Sequence, residues 1–375
     1  MKKLKVMTIV GTRPELIKLS RVIAELDSSA NHILVHTGQN YDDELNKVFF
    51  EDLEIRQPDY FLHAAGASAV ETVSQVISKV DPVILKEKPD AILLYGDTNS
   101  CLSAIVAKRR KVPLFHMEAG NRSFDERVPE EINRRIVDHI SDINMPLTEH
   151  ARRYLIQEGI RPETIIKIGS CMEEVLDYYS SKINKSDICN DLELEPGKYF
   201  LISAHREENV DTPDRLRGLM ESLNLLVQTY NIPIIFSVHP RTKARLDEIK
   251  EIKFDPKIKL MKAMGFIDYV QLQKKAKCVI SDSGTIAEES SLLQIPAVTL
   301  RQAHERPEGM VEGLLIMSDI YPEQVTASVE TVLAQKDRFN ADDVSDYRGG
   351  KVSIKVSRII YSYTDYVKRT VWREI

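Results

Sequence analysis

The sequence predicts an α/β protein made of two Rossmann-like halves, each with a doubly wound parallel sheet. Short apolar strands alternate with helices along the chain, which is typical of parallel sheets covered by helices on both faces. The alternation restarts after a polar segment at 180–194. The length of 375 residues exceeds that of one typical domain, so two domains are expected.

The first half begins with an apolar strand at 4–10, which Gly11-Thr12 ends. A helix follows directly, because leucine and isoleucine recur at helical spacing from 16 to 26. Further elements are predicted as strands at 33–36, 91–95 and 112–115 and as helices at 70–85 and 103–108.

The second half repeats this organisation after a linker near 170–197. Strands are predicted at 199–203, 233–238, 258–261, 279–280 and 297–300. A polar break precedes a last helix at 352–372, which is expected to cross back onto the first half. The expected domains are therefore 1–170 plus 356–375, and 171–355.

Composition and charge exclude several classes of protein. A formal net charge of -6 argues against binding to the phosphate backbone of a nucleic acid. The four cysteines are scattered without a C-x-x-C pair, which indicates reduced thiols rather than a zinc site or a disulfide framework. No stretch approaches the ~20 apolar residues that span a bilayer, and the apolar run at 6–10 is too short for a signal peptide. We therefore expect a cytoplasmic protein that does not insert into a membrane.

Reactive side chains follow most of the predicted strands. The carboxyl ends of the strands carry the ligand crevice in open α/β sheets. The residues found at these ends are Arg13 and Lys18, Asp97, Glu118, His205, and His239 with Arg241. This recurrence predicts one cleft shared by the two halves.

The stretch from Cys278 to Glu289 has the strand–turn–helix order of a nucleotide site. Its turn offers backbone N–H groups and a hydroxyl to a diphosphate, at the positive end of a helix dipole. A carboxylate one or two turns into the helix is placed to accept ribose hydroxyls. Taken alone, Ser281-Asp282-Ser283-Gly284 is better explained as an ordinary β-turn with a helix N-cap, and only the other motifs favour the nucleotide site.

Three carboxylates, Asp97, Glu118 and Glu130, fall on loops of the first half. Clustered carboxylates have pKa values that are pushed apart, which suits one as an acid and another as a base. Structural explanations stay open: Asp97 as a helix cap, and Glu130 as the first turn of a helix after Pro129. His205 is alternatively a core histidine, and the cations after the first strand are alternatively solvated.

Seven motifs occur in the same order as in the non-hydrolysing UDP-N-acetylglucosamine 2-epimerases, over essentially the whole chain. They are Gly11-Thr12-Arg13-Pro14-Glu15 with Lys18, Gly96-Asp97-Thr98, His116-Met117-Glu118-Ala119-Gly120, Pro129-Glu130-Glu131-Ile132-Asn133-Arg134, His205-Arg206-Glu207, Ser281-Asp282-Ser283-Gly284 with Glu288-Glu289, and Glu305-Arg306-Pro307-Glu308. The chain therefore resembles that family. The resemblance implies a glycosyltransferase-B-type fold, two domains facing across a cleft, a homodimer, and neither a cofactor nor a metal.

The resemblance also implies residue roles in epimerisation of a UDP-N-acetylhexosamine. UDP would leave through cleavage of the C1–O bond, giving an unsaturated 2-acetamido sugar, and would then add back with a proton on the opposite face of carbon 2. The candidates are Asp97, Glu118 and Glu130 for acid/base chemistry; His205, Arg13 and Lys18 for the leaving diphosphate, with His205 also a candidate catalytic residue; Arg134 for substrate; Ser283, Gly284 and Thr285 for phosphate; Glu289 for ribose; and Tyr269 for uracil.

Departures from the commoner family members point to one subgroup. The spacer at 121–128, the segment at 96–102 and the ending at 362–372 look more like enzymes that make UDP-N-acetyl-L-fucosamine from UDP-2-acetamido-2,6-dideoxy-L-talose for capsule or O-antigen. Gln39-Asn40-Tyr41 replaces the usual Gln-His, which puts allosteric activation by substrate in doubt, and Thr285 replaces a glycine. The rivals are a glycosyltransferase of the same fold, a hydrolysing epimerase and a UDP-sugar-binding regulator.

Overall fold

The computed structural model describes residues 3–39, 50, 52–238, 240–249, 252–262, 264–301, 306–336 and 344–374. The chain divides into two compact units. The first unit comprises Met1–Tyr178 with Asp346–Ile375, and the second comprises Tyr179–Ser345.

The first unit is a helix-covered parallel sheet with the strand order β3-β2-β1-β4-β5-β6. Its elements are β1 (Lys5–Val10), α1 (Arg13–Ser29), β2 (Asn31–His36), β3 (Tyr60–Phe61), α2 (Ala69–Glu87), β4 (Ala91–Tyr95), a 3₁₀ turn (Asn99–Ser103), α3 (Ala104–Arg109), β5 (Leu114–Met117), α4 (Pro129–Ile140), β6 (Ile143–Met145), α5 (Glu149–Gln157) and a 3₁₀ turn (Pro162–Thr164). Helix α6 (Cys171–Asn184) continues into the second unit.

The second unit has the parallel strand order β12-β11-β10-β7-β8-β9. Its elements are α7 (Ile188–Asp191), β7 (Phe200–Ser203), α8 (Glu207–Val210), α9 (Pro213–Tyr230), β8 (Ile234–Val238), α10 (Pro240–Glu248), β9 (Ile258–Lys262), α11 (Phe266–Lys275), β10 (Cys278–Ser281), α12 (Ile286–Leu293), β11 (Ala297–Leu300), α13 (Glu308–Val311), β12 (Ile316–Ser318) and α14 (Pro322–Gln335). A 3₁₀ turn (Ser345–Tyr347) leads to α15 (Val352–Thr370) of the first unit.

The predicted fold class is confirmed. Each sheet has the strand order 3-2-1-4-5-6 when its strands are counted from its own first strand, which is the order of the Rossmann fold. The last helix packs on α1, where the Tyr361 hydroxyl donates to the Ser29 carbonyl at 2.6 Å. The strands β3, β6 and β12, each of only two or three residues, were not predicted.

The cores lie between each sheet and its helices. In the first unit, buried Ile and Val side chains from the β1 and β2 strands pack against Val76 and Val80 of α2. In the second unit, Phe200, Phe236 and Leu223 belong to one buried cluster. Burial of these strands on both faces explains why their sequences are continuous apolar runs. Among the described residues, no helix is long and apolar enough to cross a lipid bilayer.

Gly120, just beyond β5, allows the end of that strand to pack closely against α5. Its φ is +84°, and a Cβ atom placed there would lie 2.4 Å from the backbone carbonyl oxygen of Ala151. We expect Gly120→Ala to lower the free energy of unfolding by at least about 2 kcal/mol, measured by urea denaturation, because a backbone atom must move.

Gly159 supplies the matched control for this substitution. Its φ of +86° is nearly the same, but nothing lies within 4 Å of the added Cβ atom. Gly159→Ala should therefore cost only the left-handed backbone conformation, about 1 kcal/mol. Equal losses in the two variants would contradict the packing argument.

Candidate active site

The strand order places two sets of polar residues at equivalent points of the two sheets. In each sheet the direction of strand addition reverses between the first and fourth strands, at β1/β4 and at β7/β10. Ligands of open α/β sheets bind outside the carboxyl ends of the strands at such a point. The turns after β1 and β4 carry Arg13 and Asp97, and those after β7 and β10 carry His205 and Ser283.

Glu118 lies at the end of β5 in a buried ion pair. Its Oε2 accepts the Lys18 ammonium at 2.6 Å and the Tyr95 hydroxyl at 2.5 Å. The Lys18 and Glu118 side chains are only 7% and 10% exposed, and the Lys18 Nζ lies 5.2 Å from the centre of the Tyr95 ring. The fold therefore brings together residues from α1, β4 and β5 at one carboxylate.

The backbone of Glu118 adopts the left-handed conformation, with φ of +62°. This conformation costs a non-glycine residue on the order of 1–3 kcal/mol and is concentrated at functional sites. The Glu118 N–H donates to the Met145 carbonyl of β6 at 3.1 Å, which helps to hold the turn. The strained turn aims the carboxylate at Lys18 instead of continuing the strand.

Asp97 is the second carboxylate of this unit, and Arg134 holds it. The Arg134 Nη2 and Nε donate to the Asp97 Oδ2 at 2.7 and 3.1 Å. The Arg134 Nη1 donates to the Glu131 Oε2 at 3.0 Å. The Asn133 amide donates to the Asp97 carbonyl at 2.9 Å. Arg134, predicted to bind substrate, thus contacts Asp97 directly.

Glu131, beside the predicted Glu130, is the buried member of the pair. Burial alone would raise the pKa of Glu131, but the backbone hydrogen bond from Ser123 and the charge of Arg134 lower it. Glu130 lies on the exposed first turn of α4, where the described residues give it no hydrogen bond or ion pair. The structure joins Asp97 to Glu131 through Arg134 and leaves Glu130 in solvent.

A buried chain of alternating charges supports both carboxylate turns. The His116 Nε2 lies 2.7 Å from the Gly96 carbonyl oxygen, which can only accept, and its Nδ1 lies 2.9 Å from the Asp138 Oδ1. Burial alone would lower the pKa of His116, but the hydrogen bond and charge of Asp138 raise it. The Asp138 Oδ2 also accepts Arg122 at 2.7 Å and the Gly120 N–H at 3.1 Å. Sequence analysis singled out His116 only within a motif and missed Asp138 and Arg122.

Asp138→Asn is expected to lower the free energy of unfolding by about 3–5 kcal/mol, because it leaves buried cations without their counter-charge. Urea denaturation near neutral pH measures the loss. Asp214→Asn is the matched control, since the Asp214 side chain is 86% exposed beside Arg217 and should change stability by less than about 1 kcal/mol. Similar losses in both variants would contradict the supporting role of the charge chain.

In the second unit, Asp282 organises the turn that carries His205. Its Oδ2 accepts the backbone N–H groups of His205 and Arg206, both at 2.9 Å, and the Asn209 amide at 3.1 Å. The His205 Nδ1 lies 3.2 Å from the Asp282 Oδ1, and the His205 side chain is 48% exposed. His205 is thus anchored through its backbone and presents its ring to solvent, unlike a core histidine.

The predicted phosphate turn leads into a series of hydrogen bonds that ends on Glu289. The Ser283 and Thr285 hydroxyl oxygens are 3.0 Å apart, and the Thr285 hydroxyl donates to the Glu289 Oε1 at 2.7 Å. The buried Gln273 donates to the Glu289 Oε2 at 2.6 Å. Burial raises the pKa of Tyr269, to which the nearby charge of Glu289 adds. The predicted residues of this unit are therefore neighbours, whereas no sequence pattern pointed to Gln273.

Other predicted residues are placed as follows. Arg13 is half-buried at the start of α1, and Gly284 is half-buried in the turn before α12. Arg306 donates to the buried Glu288 at 2.5 Å. Asn40, Tyr41, His239 and Glu305, and the side chain of Arg241, lie outside the described residues. Within the described ranges, no group of three or more His, Cys, Asp or Glu residues could hold a metal ion.

Comparisons with known proteins show the family and the fold of this chain. A family model described as UDP-N-acetylglucosamine 2-epimerase matches residues 24–361. The structure resembles that of UDP-N-acetylglucosamine 2-epimerase from Rickettsia bellii, with a TM-score of 0.92 and 56% identity over 99% of this chain and 100% of that one.

Two further relatives bear on substrate. The Methanocaldococcus jannaschii UDP-GlcNAc 2-epimerase, solved in complex with UDP-GlcNAc and UDP, has a TM-score of 0.89 and 35% identity over 96% of this chain and 100% of that one. A UDP-2,3-diacetamido-2,3-dideoxy-D-glucuronate 2-epimerase from Pseudomonas aeruginosa is 33% identical over 363 residues, which cover 95% of this chain and 99% of the relative.

Proposed function

This chain belongs to the UDP-N-acetylglucosamine 2-epimerase family and is an isomerase, and on that premise we propose that it inverts carbon 2 of a UDP-N-acetylhexosamine by elimination and re-addition of UDP. The observation that carries the proposal is the pair of carboxylates that follow β4 and β5 at the carboxyl end of the first sheet. Glu118 is held by Lys18, and Asp97 is held by Arg134.

The proton on carbon 2 of such a sugar is not acidic enough for direct removal, because no carbonyl adjoins that carbon. Cleavage of the C1–O bond must therefore accompany its loss. The pair of electrons in that bond leaves with UDP, and the electrons of the C2–H bond form the C1–C2 double bond. Re-addition of UDP reverses this flow, with the proton delivered to the other face.

Residues of the first unit are proposed to handle the protons. A carboxylate can accept the proton of carbon 2 and return one, and groups positioned in this way contribute about 10²–10⁴-fold to a rate. Asp97 and Glu118 are assigned to the two faces of carbon 2, and the Lys18 ammonium is assigned to the developing charge on the diphosphate. Glu130 is retained as a weaker candidate, because its side chain lies in solvent.

Residues of the second unit are proposed to bind UDP. The Ser283–Thr285 turn would cradle phosphate, His205 would bind the leaving diphosphate, and Glu289 would accept ribose hydroxyls. Arg13 of the first unit is also proposed to bind the diphosphate, as the resemblance implies. Gln273 and Thr285 already orient the Glu289 carboxylate, so its binding geometry costs little to form. We further propose a homodimer, as the resemblance implies.

The natural substrate is proposed to be UDP-2-acetamido-2,6-dideoxy-L-talose, with UDP-N-acetylglucosamine as the alternative within the same reaction type. The supporting observation is the spacer at 121–128, whose sequence resembles that of the L-fucosamine-forming subgroup. Glu131 accepts the Ser123 and Phe124 N–H groups at 2.9 and 3.3 Å, which gives this spacer a fixed shape suited to selecting a sugar. The product would then supply capsule or O-antigen synthesis.

Proton NMR in deuterium oxide tests the proposal with each nucleotide sugar in turn. Deuterium at carbon 2, together with the signals of a second epimer, identifies the epimerase and names its substrate. Net release of UDP would instead indicate a hydrolysing enzyme. Absence of exchange with both sugars would contradict the proposal and favour a glycosyltransferase, which needs an acceptor.

A further inference from the structure

Glu15 is a buried carboxyl group at the β1/β4 end of the first sheet that no proposed step uses. Its Oε2 accepts the backbone N–H groups of Gly11 at 2.5 Å and Thr12 at 3.2 Å. Its Oε1 accepts the hydroxyl of Thr98, the residue after Asp97. Glu15 is only 2% exposed. Within the described ranges none of its partners is a cation, so neutral donors alone hold the carboxylate.

The surroundings of Glu15 make it titrate near neutral pH. Burial, with a smaller contribution from the like charge of Asp97, raises its pKa to about 7 against the opposing effect of the hydrogen bonds from Thr98, Gly11 and Thr12. An isolated buried carboxyl group is neutral at neutral pH unless a charge partner favours its ionised form.

Several titratable groups near Glu15 are already paired or neutral, and one further cation lies on the same helix. Lys18, on the same helix, is paired with Glu118, and Arg134 is paired with Asp97. Cys101, on the 3₁₀ turn after Asp97, has its pKa raised well above the usual value by burial and by the charges of Glu15 and Asp97, so it stays a thiol. Arg13 is a cation on the first turn of the same helix.

A neutral Glu15 carries its proton on Oε1. Oε2 already accepts two N–H donors, so a proton taken from solvent binds Oε1 and is donated to the Thr98 oxygen. The Thr98 hydroxyl hydrogen, which the ionised carboxylate accepts, must then point elsewhere. Ionisation of Glu15 and the direction of the Thr98 hydroxyl are therefore coupled.

We propose that Glu15 is a positioning residue for Asp97: its carboxylate, through Thr98, fixes the turn that carries Asp97, and its protonation releases that turn. The inference rests on the proposed role of Asp97 as an acid/base residue. The alternative is a purely structural role, because Glu15 caps the first turn of α1 as in a capping box. A cap alone predicts a loss of stability in a variant but no change in the pH profile of catalysis.

Glu15→Gln separates these two roles. The amide accepts the two N–H groups and donates to Thr98, so it imitates the protonated carboxyl group at every pH. We expect the ratio of wild-type to variant kcat to be near one at about pH 5.5 and about tenfold at about pH 8.5, with a midpoint near the Glu15 pKa of about 7. KM should change little. Glu25→Gln, the same change elsewhere on α1, should leave the profile unaltered.

A second variant removes the transition without touching Glu15. Thr98→Val deletes the hydroxyl that links Glu15 to the Asp97 turn, so adding Glu15→Gln to this variant should change kcat by the same factor at every pH. Thr98→Ser, which keeps the hydroxyl, should restore the pH dependence. A wild-type ratio that stays constant across this pH range, or a transition that survives in Thr98→Val, would overturn the proposal.

Stability against pH gives a readout that does not need activity. Because folding raises the Glu15 pKa from 4.5 to about 7, its stabilising contribution is full below pH 4.5 and is lost as the pH rises through 7. The melting temperature of wild type minus that of Glu15→Gln should fall over that range. If wild type exchanges the carbon-2 proton of neither sugar, the proposed function fails, and the difference in melting temperature still shows whether Glu15 titrates. A difference in melting temperature that does not change with pH contradicts the inference about Glu15.

Discussion

Replacing Glu118 by glutamine is expected to lower kcat for inversion of carbon 2 by about 10³-fold. Glutamine keeps the shape of the side chain and still accepts hydrogen bonds from Lys18 and Tyr95, but it cannot take up a proton. The buried Lys18 ammonium also loses its counter-charge, since its side chain is only 7% exposed. Steady-state epimerisation, followed by NMR, measures the effect.

The matched control for this variant is Glu163→Gln on an exposed turn, where the Glu163 side chain is 54% exposed beside Arg161. It should leave kcat unchanged. The dissociation constant for UDP should stay within about threefold in Glu118→Gln, because the residues proposed to bind UDP lie mainly in the second unit. Normal turnover by Glu118→Gln would remove the residue from the acid/base assignment.

Replacing Asp97 by asparagine should cause a loss of kcat of similar size, about 10³-fold. The geometry of the Arg134 contact is retained in part, because the amide oxygen still accepts, but the group no longer binds a proton. If Asp97 and Glu118 serve opposite faces, each variant loses epimerisation but retains exchange of the carbon-2 proton in one epimer, and the two variants retain it in different epimers. Exchange measured separately from each epimer in deuterium oxide tests this.

Asp81→Asn is the control for Asp97→Asn, because it also removes a carboxylate that an arginine holds. Arg110 donates to both Asp81 oxygens at 2.7 Å on the surface of the first unit. This control should keep full activity. If Asp97→Asn retains wild-type kcat, or if it loses activity only in proportion to lost folded protein, Asp97 is not an acid/base residue.

The fold could be predicted largely because buried parallel strands have a simple sequence pattern. Apolar runs such as 91–95 end in a turn whose polar residues must lie at the carboxyl end of the sheet. The short strands β3 and β6 have no such run, and the run at 314–317 that leads into β12 was not recognised as a strand. The pairing of all three strands depends on contacts with distant segments. Local periodicity carries no information about such contacts.

The candidate site was predictable in its members but not in its pairings. Lys18 and Glu118 are 100 residues apart along the chain, and Asp97 and Arg134 are 37 residues apart, so their contacts depend on the sheet order. Of two adjacent carboxylates, Glu131 is buried and Glu130 is exposed. Which of the two faces the interior depends on how α4 is rotated about its axis against the sheet, and the local sequence does not specify that rotation. The one sequence signal for the charge chain was His116, a histidine inside the apolar run 114–117. Its partners Asp138 and Arg122 lie in other segments of the chain.

Inversion by elimination requires that the C1–O bond breaks, and positional isotope exchange detects that breakage. The substrate carries ¹⁸O at the oxygen that joins carbon 1 to the β-phosphorus. If UDP departs and returns, that label spreads to the non-bridging β-phosphate oxygens while deuterium enters carbon 2, without net release of UDP. Inversion of carbon 2 with the label still wholly in the bridge would contradict elimination and the roles proposed for Asp97, Glu118 and Lys18.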